Sequence, residues 1–278
     1  MIDLHSHTVH SDGDHSPAQL LAEAAAAGIR VLSVTDHDTV SGIAECRAAA
    51  QAAGIRLVPG IELSCELHGR EVHILGHFLD ETSQALGSLA GGMLQERRER
   101  MEKMCAAAQA LGFTAVTYAR VLARSGGENL GRPHLARVLV ECGHAVSVKE
   151  AFDKFLHTRG PLWVDRRRLT VPEAVQLIRG AGGTSSVAHP GANEISRQEL
   201  KVMADAGLDA VEAFHPEHPP NQAEAFVRWA KDFGLLVTAG SDYHGPTVQP
   251  DRKLGDRFLT ADRFAALEEK ARRPRPEA

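Results

Sequence analysis

Short apolar runs of strand length stop, time after time along this chain, at a histidine, an aspartate or a glutamate, and most lead into an amphipathic stretch of helix length. That rhythm restricts the fold sharply. Strands that alternate with crossover helices belong to a parallel sheet covered by helices. In a closed α/β barrel the C-terminal ends of such strands converge on one face, so the polar residues that end them meet. A length of 278 residues suits one barrel with something inserted into it.

The first run sets the pattern. MIDLHSHTVHSDGDH reads as a short strand entering His-x-His and then a loop rich in Asp and His. Side chains alternate along a strand, so His5 and His7 share a face about 7 Å apart. Two imidazoles so placed can grip one metal ion, and Asp12 is within loop reach of a neighbouring position. Ser16-Pro17 then starts a helix that Gly28 stops. A strand over Ile29–Thr35 ends in Thr35-Asp36-His37-Asp38. A helix over Ser41–Ala53, closed by Gly54, leads to a strand over Ile55–Ile61 that ends at Glu62. Leu63–Leu67 and Glu71–Phe78 read as a strand pair turning at His68-Gly69-Arg70, with His73, Leu75 and His77 on one face.

The rhythm breaks from Ser83 to Arg159, where no strand pattern occurs. Gln95–Ala110 predicts a charged amphipathic helix with its charges on a solvated face. Shorter helices are predicted near Thr117–Ala123, Pro133–Glu141 and Val148–His157. The organisation that follows is a barrel from 1–82 and 160–278 with a helical insertion, 83–159, capping the active face. Between those helices runs Gly126-Gly127-Glu128-Asn129-Leu130-Gly131-Arg132-Pro133-His134. Pro133 fits a first helical turn, which puts Arg132 and His134 at a helix N-terminus, a natural anion site. An ordinary capped loop would read the same way.

The rhythm resumes at Thr170. A helix over Val171–Arg179 precedes a strand over Thr184–Ala188 ending at His189-Pro190. A helix over Arg197–Ala206 precedes a strand over Ala210–Phe214 ending at His215-Pro216. A helix over Gln222–Phe233 precedes a strand over Leu235–Ala239 ending in Gly240-Ser241-Asp242-Tyr243-His244. The tail from Arg252 predicts one more short strand and helix, then a frayed Pro-containing end.

Composition narrows the chemistry. Fifteen histidines against four cysteines point to metal or phosphate chemistry rather than disulfides. Cys46, Cys65, Cys105 and Cys142 form no Cys-x-x-Cys pair and read as reduced thiols of a cytoplasmic protein. A net charge of -5 excludes a basic nucleic-acid coat. No 18-residue apolar run predicts a membrane span, and MIDLHSH lacks the basic and apolar regions of a signal peptide. Imidazoles and carboxylates without thiolates suit Mn(II), Fe(II) or Zn(II) better than Ca(II).

The residues His5-Ser6-His7, Asp12, Thr35-Asp36-His37, Glu62, His73, His189-Pro190 and Asp242-Tyr243-His244 closely resemble the PHP (polymerase and histidinol phosphatase) family of metallophosphoesterases. The resemblance covers about 1–80 and 165–260. It implies a distorted (β/α)7 TIM-like barrel and three divalent metal ions, with Mn(II) the first choice and Fe(II) or Zn(II) next. It implies that His5, His7, Glu62 and Asp242 hold the first ion. Glu62 would bridge to a second, completed by His73 and His189. Asp12, His37 and His244 would hold the third. Some members carry histidine where Asp12 stands, which bears on the metal preference there. Gly131-Arg132-Pro133-His134 resembles the branch that hydrolyses the 3'-phosphate of nucleoside 3',5'-bisphosphates and degrades RNA from its 5' end.

On that resemblance His189, His215 and Asp242 are catalytic, with either His215 or His189 as the acid. Asn129, Arg132, His134 and His215 contact phosphate. Asp36 and Asp38 orient His37, while His10, His15, His68 and His77 take surface or supporting roles. The substrate is a small nucleotide or an RNA 5' end, with no stable DNA complex and no membrane. Three other readings compete: a histidinol-phosphate-type phosphatase, hydrolysis of a C–N bond on a related barrel, and a non-catalytic, metal-stabilised binding domain.

Overall fold

Strand β1 (Ile2–Asp3) pairs in parallel with β2 (Val31–Val34), and β2 pairs in parallel with β3 (Arg56–Leu67). The structure, a computed structural model, describes residues 1–125 and 129–273. After β3 the direction reverses: β4 (Arg70–His77) is antiparallel both to β3 and to β6 (Thr184–Val187). Parallel pairing returns through β7 (Ala210–Phe214) to β8 (Leu236–Ala239). A two-residue strand, β5 (Leu169–Thr170), adds to the far end of β3 and completes the eight-stranded sheet. The sheet curls until its ends meet. Leu4 N donates to Ala239 O at 3.1 Å, and Ser6 bridges Tyr243.

Helices cover the outside. Helix α1 (Pro17–Ala26) begins at Ser16, whose hydroxyl accepts from Gln19 N while the Gln19 side chain accepts from Ser16 N. With α2 (Ile43–Ala53) it buries Leu20, Leu21, Ile43 and Cys46 against Leu32 and Val34 of β2. Helices α7 (Val171–Gly180), α8 (Arg197–Asp205) and α9 (Pro220–Phe233) cover β3, β4, β6 and β7. Helix α10 (Ala261–Arg272) plugs the end away from the histidines, where Phe264 and Leu267 meet Leu4, Val58 and Ala239.

The helices between β4 and β5 bury apolar residues among themselves. Met101 and Met104 of α3 (Gln84–Ala110) pack on Val121 of α4 (Tyr118–Ser125), Leu135 and Leu139 of α5 (Arg132–Glu141) and Ala151 of α6 (Val148–Ala151). The first turns of α3 instead place Leu86 on the barrel core.

Four predicted elements need correction. Helix α3 starts at Gln84, eleven residues before the predicted Gln95, although Gly87, Gly91 and Gly92 lie in that stretch. Each glycine costs about 1 kcal/mol in a helix, and burial of Leu86 and Met93 offsets it. The strands predicted on either side of Glu62 are one 12-residue strand, because Arg56–Pro59 pair with β2 and Gly60–Leu67 with β4. Helix α6 widens after Ala151 into a π-helical turn, Phe152–Leu156. No strand follows β8 among the described residues; the tail touches β1 through single bonds such as Leu259 N to Ile2 O at 2.8 Å. Gly126–Glu128 and residues 274–278 lie outside the described residues.

Candidate metal centre

Glu62 is the hub of the site. It sits inside β3, fully buried, with its side chain in the barrel mouth. Its Oε2 lies 3.2 Å from His5 Nε2, 3.2 Å from His7 Nε2 and 3.3 Å from His37 Nδ1. Its Oε1 lies 2.9 Å from His73 Nδ1 and 3.0 Å from His189 Nε2. Five imidazoles from four parts of the chain thus face one carboxylate. Asp242 Oδ1 lies 3.2 Å from His5 Nε2 and 3.3 Å from His7 Nε2. On the other flank Asp12 lies 3.4 Å from His244 Nε2 and 3.8 Å from both His37 Nε2 and His7 Nδ1.

The donors fall into overlapping groups whose ligand atoms lie within 4.8 Å of one another: His5, His7, Glu62 and Asp242; His37, Glu62 and His73; and His7, Asp12, His37 and His244. All nine expected ligands are therefore gathered, with His189 joined through Glu62. The set fits divalent cations on a second count. His7 Nε2, Asp12 Oδ1 and His37 Nδ1 are buried polar atoms with no hydrogen-bond partner. Such atoms are costly to bury and are normally satisfied. Imidazole and carboxylate donors without sulfur suit hard to borderline divalent ions.

Charge supports the same fit. Burial opposes ionisation of Glu62, yet His37, His5 and His73 hold its carboxyl well below the usual range. Asp12 and Asp242 are held down in the same way by the histidines around them. Burial opposes protonation of His7 and His73, yet Asp242 and Glu62 raise His7 to about 9, and Glu62 raises His73 to about 10. His37 differs: burial dominates and pushes it down to about 3. Three ionised carboxylates in a buried mouth call for positive charge, which protons on imidazole or metal ions can supply.

Hydrogen bonds behind the cluster aim the rings. Glu212 Oε1 accepts from His5 Nδ1 at 2.9 Å, leaving Nε2 free to face inward. Ser11 Oγ stands 3.4 Å behind His7 Nδ1 and donates to Asp36 Oδ1 at 2.5 Å. His244 Nδ1 donates to the Asp242 carbonyl at 2.9 Å. His215 is almost fully buried; its Nδ1 accepts from Glu217 N at 3.2 Å, so its proton sits on Nε2, 3.3 Å from Asp242 Oδ2. Arg252 donates to the same Oδ2 at 2.6 Å.

Two supporting assignments are corrected. Asp36 does not orient His37. It accepts from Thr8 N at 2.8 Å, Thr8 Oγ1 at 2.6 Å and Ser11 Oγ, and so fixes the loop behind His7. Asp38 does not orient His37 either: it accepts from Ser64 N at 2.7 Å, from Arg97 Nε at 3.0 Å and from Arg166. The extra histidines divide. His10 and His15 lie near Glu45 and Glu23 at the surface, His68 occupies the exposed β3–β4 turn, and His77 is buried with Nε2 donating to Leu4 O at 2.9 Å.

A cleft of about 670 Å³ opens beside His73, lined by Glu71, Arg132, Arg168 and Trp163. Arg132 donates to Glu71 Oε2 at 2.9 Å and lies over the Trp163 ring at 5.0 Å. Arg168 and Arg166 also face Glu71, at 3.6 and 3.8 Å. One carboxylate thus meets three guanidiniums, though Arg168 also donates to Asp165 at 2.9 Å and Arg166 to Asp38 at 3.2 Å, so the arginines of the cleft are matched by acids. His134 is fully buried: its Nδ1 accepts from Gly131 N at 2.9 Å and caps α5, and burial lowers it to about 4. Asn129 Nδ2 donates to the His37 carbonyl at 2.6 Å.

Sequence reasoning missed Glu212, Arg97, Arg166, Arg168, Glu71 and Arg252. Glu212 carried a readable signal, since it is the one acid in the apolar strand Ala210–Phe214.

Comparison with known proteins agrees with this geometry. Residues 3–91 match the PHP domain. A 5'-3' exoribonuclease of Haemophilus influenzae is 34% identical over 248 residues, covering 88% of this chain and 90% of the relative. A 3',5'-nucleoside bisphosphate phosphatase of Chromobacterium violaceum is 32% identical, covering 88% and 87%. A solved structure from Bifidobacterium adolescentis, described as a metal-dependent phosphoesterase, superposes with a TM-score of 0.87 at 30% identity over 95% of this chain and 94% of that one. The chain belongs to the PHP family of metal-dependent phosphoesterases, and is a hydrolase. The competing non-catalytic reading falls away, while a solved structure from Chromobacterium violaceum described as an amidohydrolase also superposes, with a TM-score of 0.87 at 30% identity over 97% of this chain and 96% of that one. No helix among the described residues is long and apolar enough to cross a membrane.

Proposed function

We propose that this enzyme removes the 3'-phosphate of nucleoside 3',5'-bisphosphates and, by the same chemistry, shortens 5'-phosphorylated RNA from its 5' end. The observation that carries the reading is the cluster of Arg132, Arg166 and Arg168 around Glu71, beside the cleft that opens at His73. A phosphomonoester needs no second anion site. A bisphosphate or an RNA 5' end does, because the phosphate that does not react must be held while its neighbour is cut. Guanidinium forks match phosphate oxygens in shape and charge. Relatives named for both activities support the same choice.

Three ions, with Mn(II) favoured, would be held by His5, His7, Glu62 and Asp242; by Glu62, His73 and His189; and by Asp12, His37 and His244. Bound there, divalent ions supply Lewis acidity toward phosphate oxygens and make water more acidic. The chain's own residues do the rest. Arg132 and Arg168 anchor the distal phosphate and so use remote binding energy at the reacting centre. Trp163 offers a face against which a base or ribose can pack. Asn129 and His134 fix the loop and helix start that carry Arg132. His215 acts through Asp242. The helices of 83–159 cap the barrel of 1–82 and 160–278, in the cytoplasm.

The test is phosphate release by Mn(II)-loaded protein from adenosine 3',5'-bisphosphate beside 5'-AMP, 3'-AMP and histidinol phosphate. Release confined to the bisphosphate, with KM raised at least tenfold in Arg132→Ala, is expected. Equal release from all four, or from histidinol phosphate alone, would overturn the substrate assignment.

A further inference from the structure

Glu212 lies inside the barrel on β7, fully buried, and belongs to none of the three ligand groups. Both of its oxygens are nevertheless committed to ligands. Oε1 accepts from His5 Nδ1 at 2.9 Å. Oε2 accepts from the backbone N–H of His189 at 2.6 Å. His189 needs such an anchor, because its φ of 29° lies in the left-handed region that a side chain disfavours. The neighbouring loop is tied down as well: Gly191 N donates to His218 Nε2 at 2.9 Å, and His218 Nδ1 donates to Ala213 O at 3.0 Å.

We propose that Glu212 is a positioning residue that sets two metal ligands at once, fixing the tautomer of His5 and the backbone of His189. Imidazole presents a metal-binding lone pair at Nε2 only when the other proton sits at Nδ1. A buried carboxylate at Nδ1 enforces that choice. The same carboxylate pins the His189 amide, so the His189 ring stays 3.0 Å from Glu62 Oε1. Glu212 therefore couples the first ligand group to the second without touching a metal. An amide cannot do both tasks. In Glu212→Gln the oxygen can accept from one partner, and the NH2 then confronts the N–H of the other. Either His5 turns to the Nε2–H tautomer or the His189 loop lifts.

This inference rests on the metal-centre reading, and the test separates the two. Mn(II) affinity and stoichiometry are measured by equilibrium dialysis with elemental analysis, for the parent and for Glu212→Gln. The metal-free thermal midpoints of both are taken as a control on folding. In parallel, 15N NMR of the parent loaded with diamagnetic Zn(II) reads which nitrogen of His5 carries the proton, with no substitution needed. Expected are an Nδ1–H tautomer at His5 and a 10- to 100-fold loss of Mn(II) affinity in the folded variant, the usual size for loss of such a partner. An Nε2–H tautomer in the parent, or a folded variant that binds Mn(II) within twofold of the parent, would overturn the role of Glu212. A parent that takes up no Mn(II) would overturn the metal reading beneath it.

Discussion

Asp38→Asn tests whether the helices between β4 and β5 are held to the barrel by charge. Asp38 is buried at 2% exposure beside His37. Burial would raise its pKa, but Arg97 and Arg166 hold the carboxyl well below the ordinary range. Arg97 reaches it from α3, donating from Nε at 3.0 Å, while Arg166 donates at 3.2 and 3.3 Å from the segment before β5. Both guanidinium side chains are under a tenth exposed. Asparagine preserves the shape and creates no cavity, so the change isolates the charge. It leaves two buried guanidiniums facing an amide. Losing the partner of a buried ion pair costs about 3–5 kcal/mol. Alternative acceptors reduce this at the margin, since Arg166 lies 3.8 Å from Glu71 and Arg97 NH1 lies 3.4 Å from Leu130 O. At roughly 2–4 °C per kcal/mol for a chain of about this size, the midpoint should fall by about 6–20 °C. Thermal unfolding followed by circular dichroism in chelator removes any contribution from metal. A fall of less than 2 °C would refute the idea that this buried carboxylate ties α3 to the barrel. Strong coupling to Arg97→Met in a double-mutant cycle should accompany the larger value.

Further predictions follow from single contacts. Glu62→Gln removes the charge that faces five imidazoles, so Mn(II) retained after dialysis should drop by at least one ion per chain; unchanged elemental content would count against Glu62 as the hub. Gly240→Ala would set a Cβ 2.3 Å from His5 Cβ and 2.7 Å from His5 N, so backbone must move; overpacking of about 1–3 kcal/mol and a roughly 10²-fold loss of turnover are expected, read by melting and phosphate release. His77 has no partner at Nδ1, and burial lowers its pKa to about 4 from 6.5. The folded state therefore favours the neutral ring. The resulting stability is full above pH 6.5 and is lost as pH falls toward 4, by about 3 kcal/mol. Melting of chelated protein across that window should be steeper in the parent than in His77→Gln, and identical slopes would exclude His77 as a source.

The candidate ligands were legible because a strand end has a fixed address. His5, His37, His189 and Asp242 each follow an apolar run, and barrel closure alone brings such positions together. The strand-helix order was legible for the same reason. What escaped depends on contacts that no local pattern encodes. Asp38 meets Arg97 across 59 positions and Arg166 across 128, and nothing near either end reports the partner. Arg252 and Asp242 are ten positions apart in a loop without periodicity. The early start of α3 was hidden by glycines whose cost is repaid only by the barrel surface under Leu86. Asp36 shows the converse failure: its adjacency to His37 suggested a partnership, while its side chain faces the loop behind His7.

The join between β1 and β8 has a consequence for how the protein is made. The barrel is sealed where Leu4 bonds to Ala239 and Ser6 bridges Tyr243, and the histidines at the rim run from His5 to His244. During synthesis the free edge of β1 must therefore wait, unpaired, until residues 239–244 have left the ribosome. A chain stalled before His244 leaves that edge open and its rim incomplete, so a prematurely terminated product should be cleared by proteases rather than persist as a partly active enzyme.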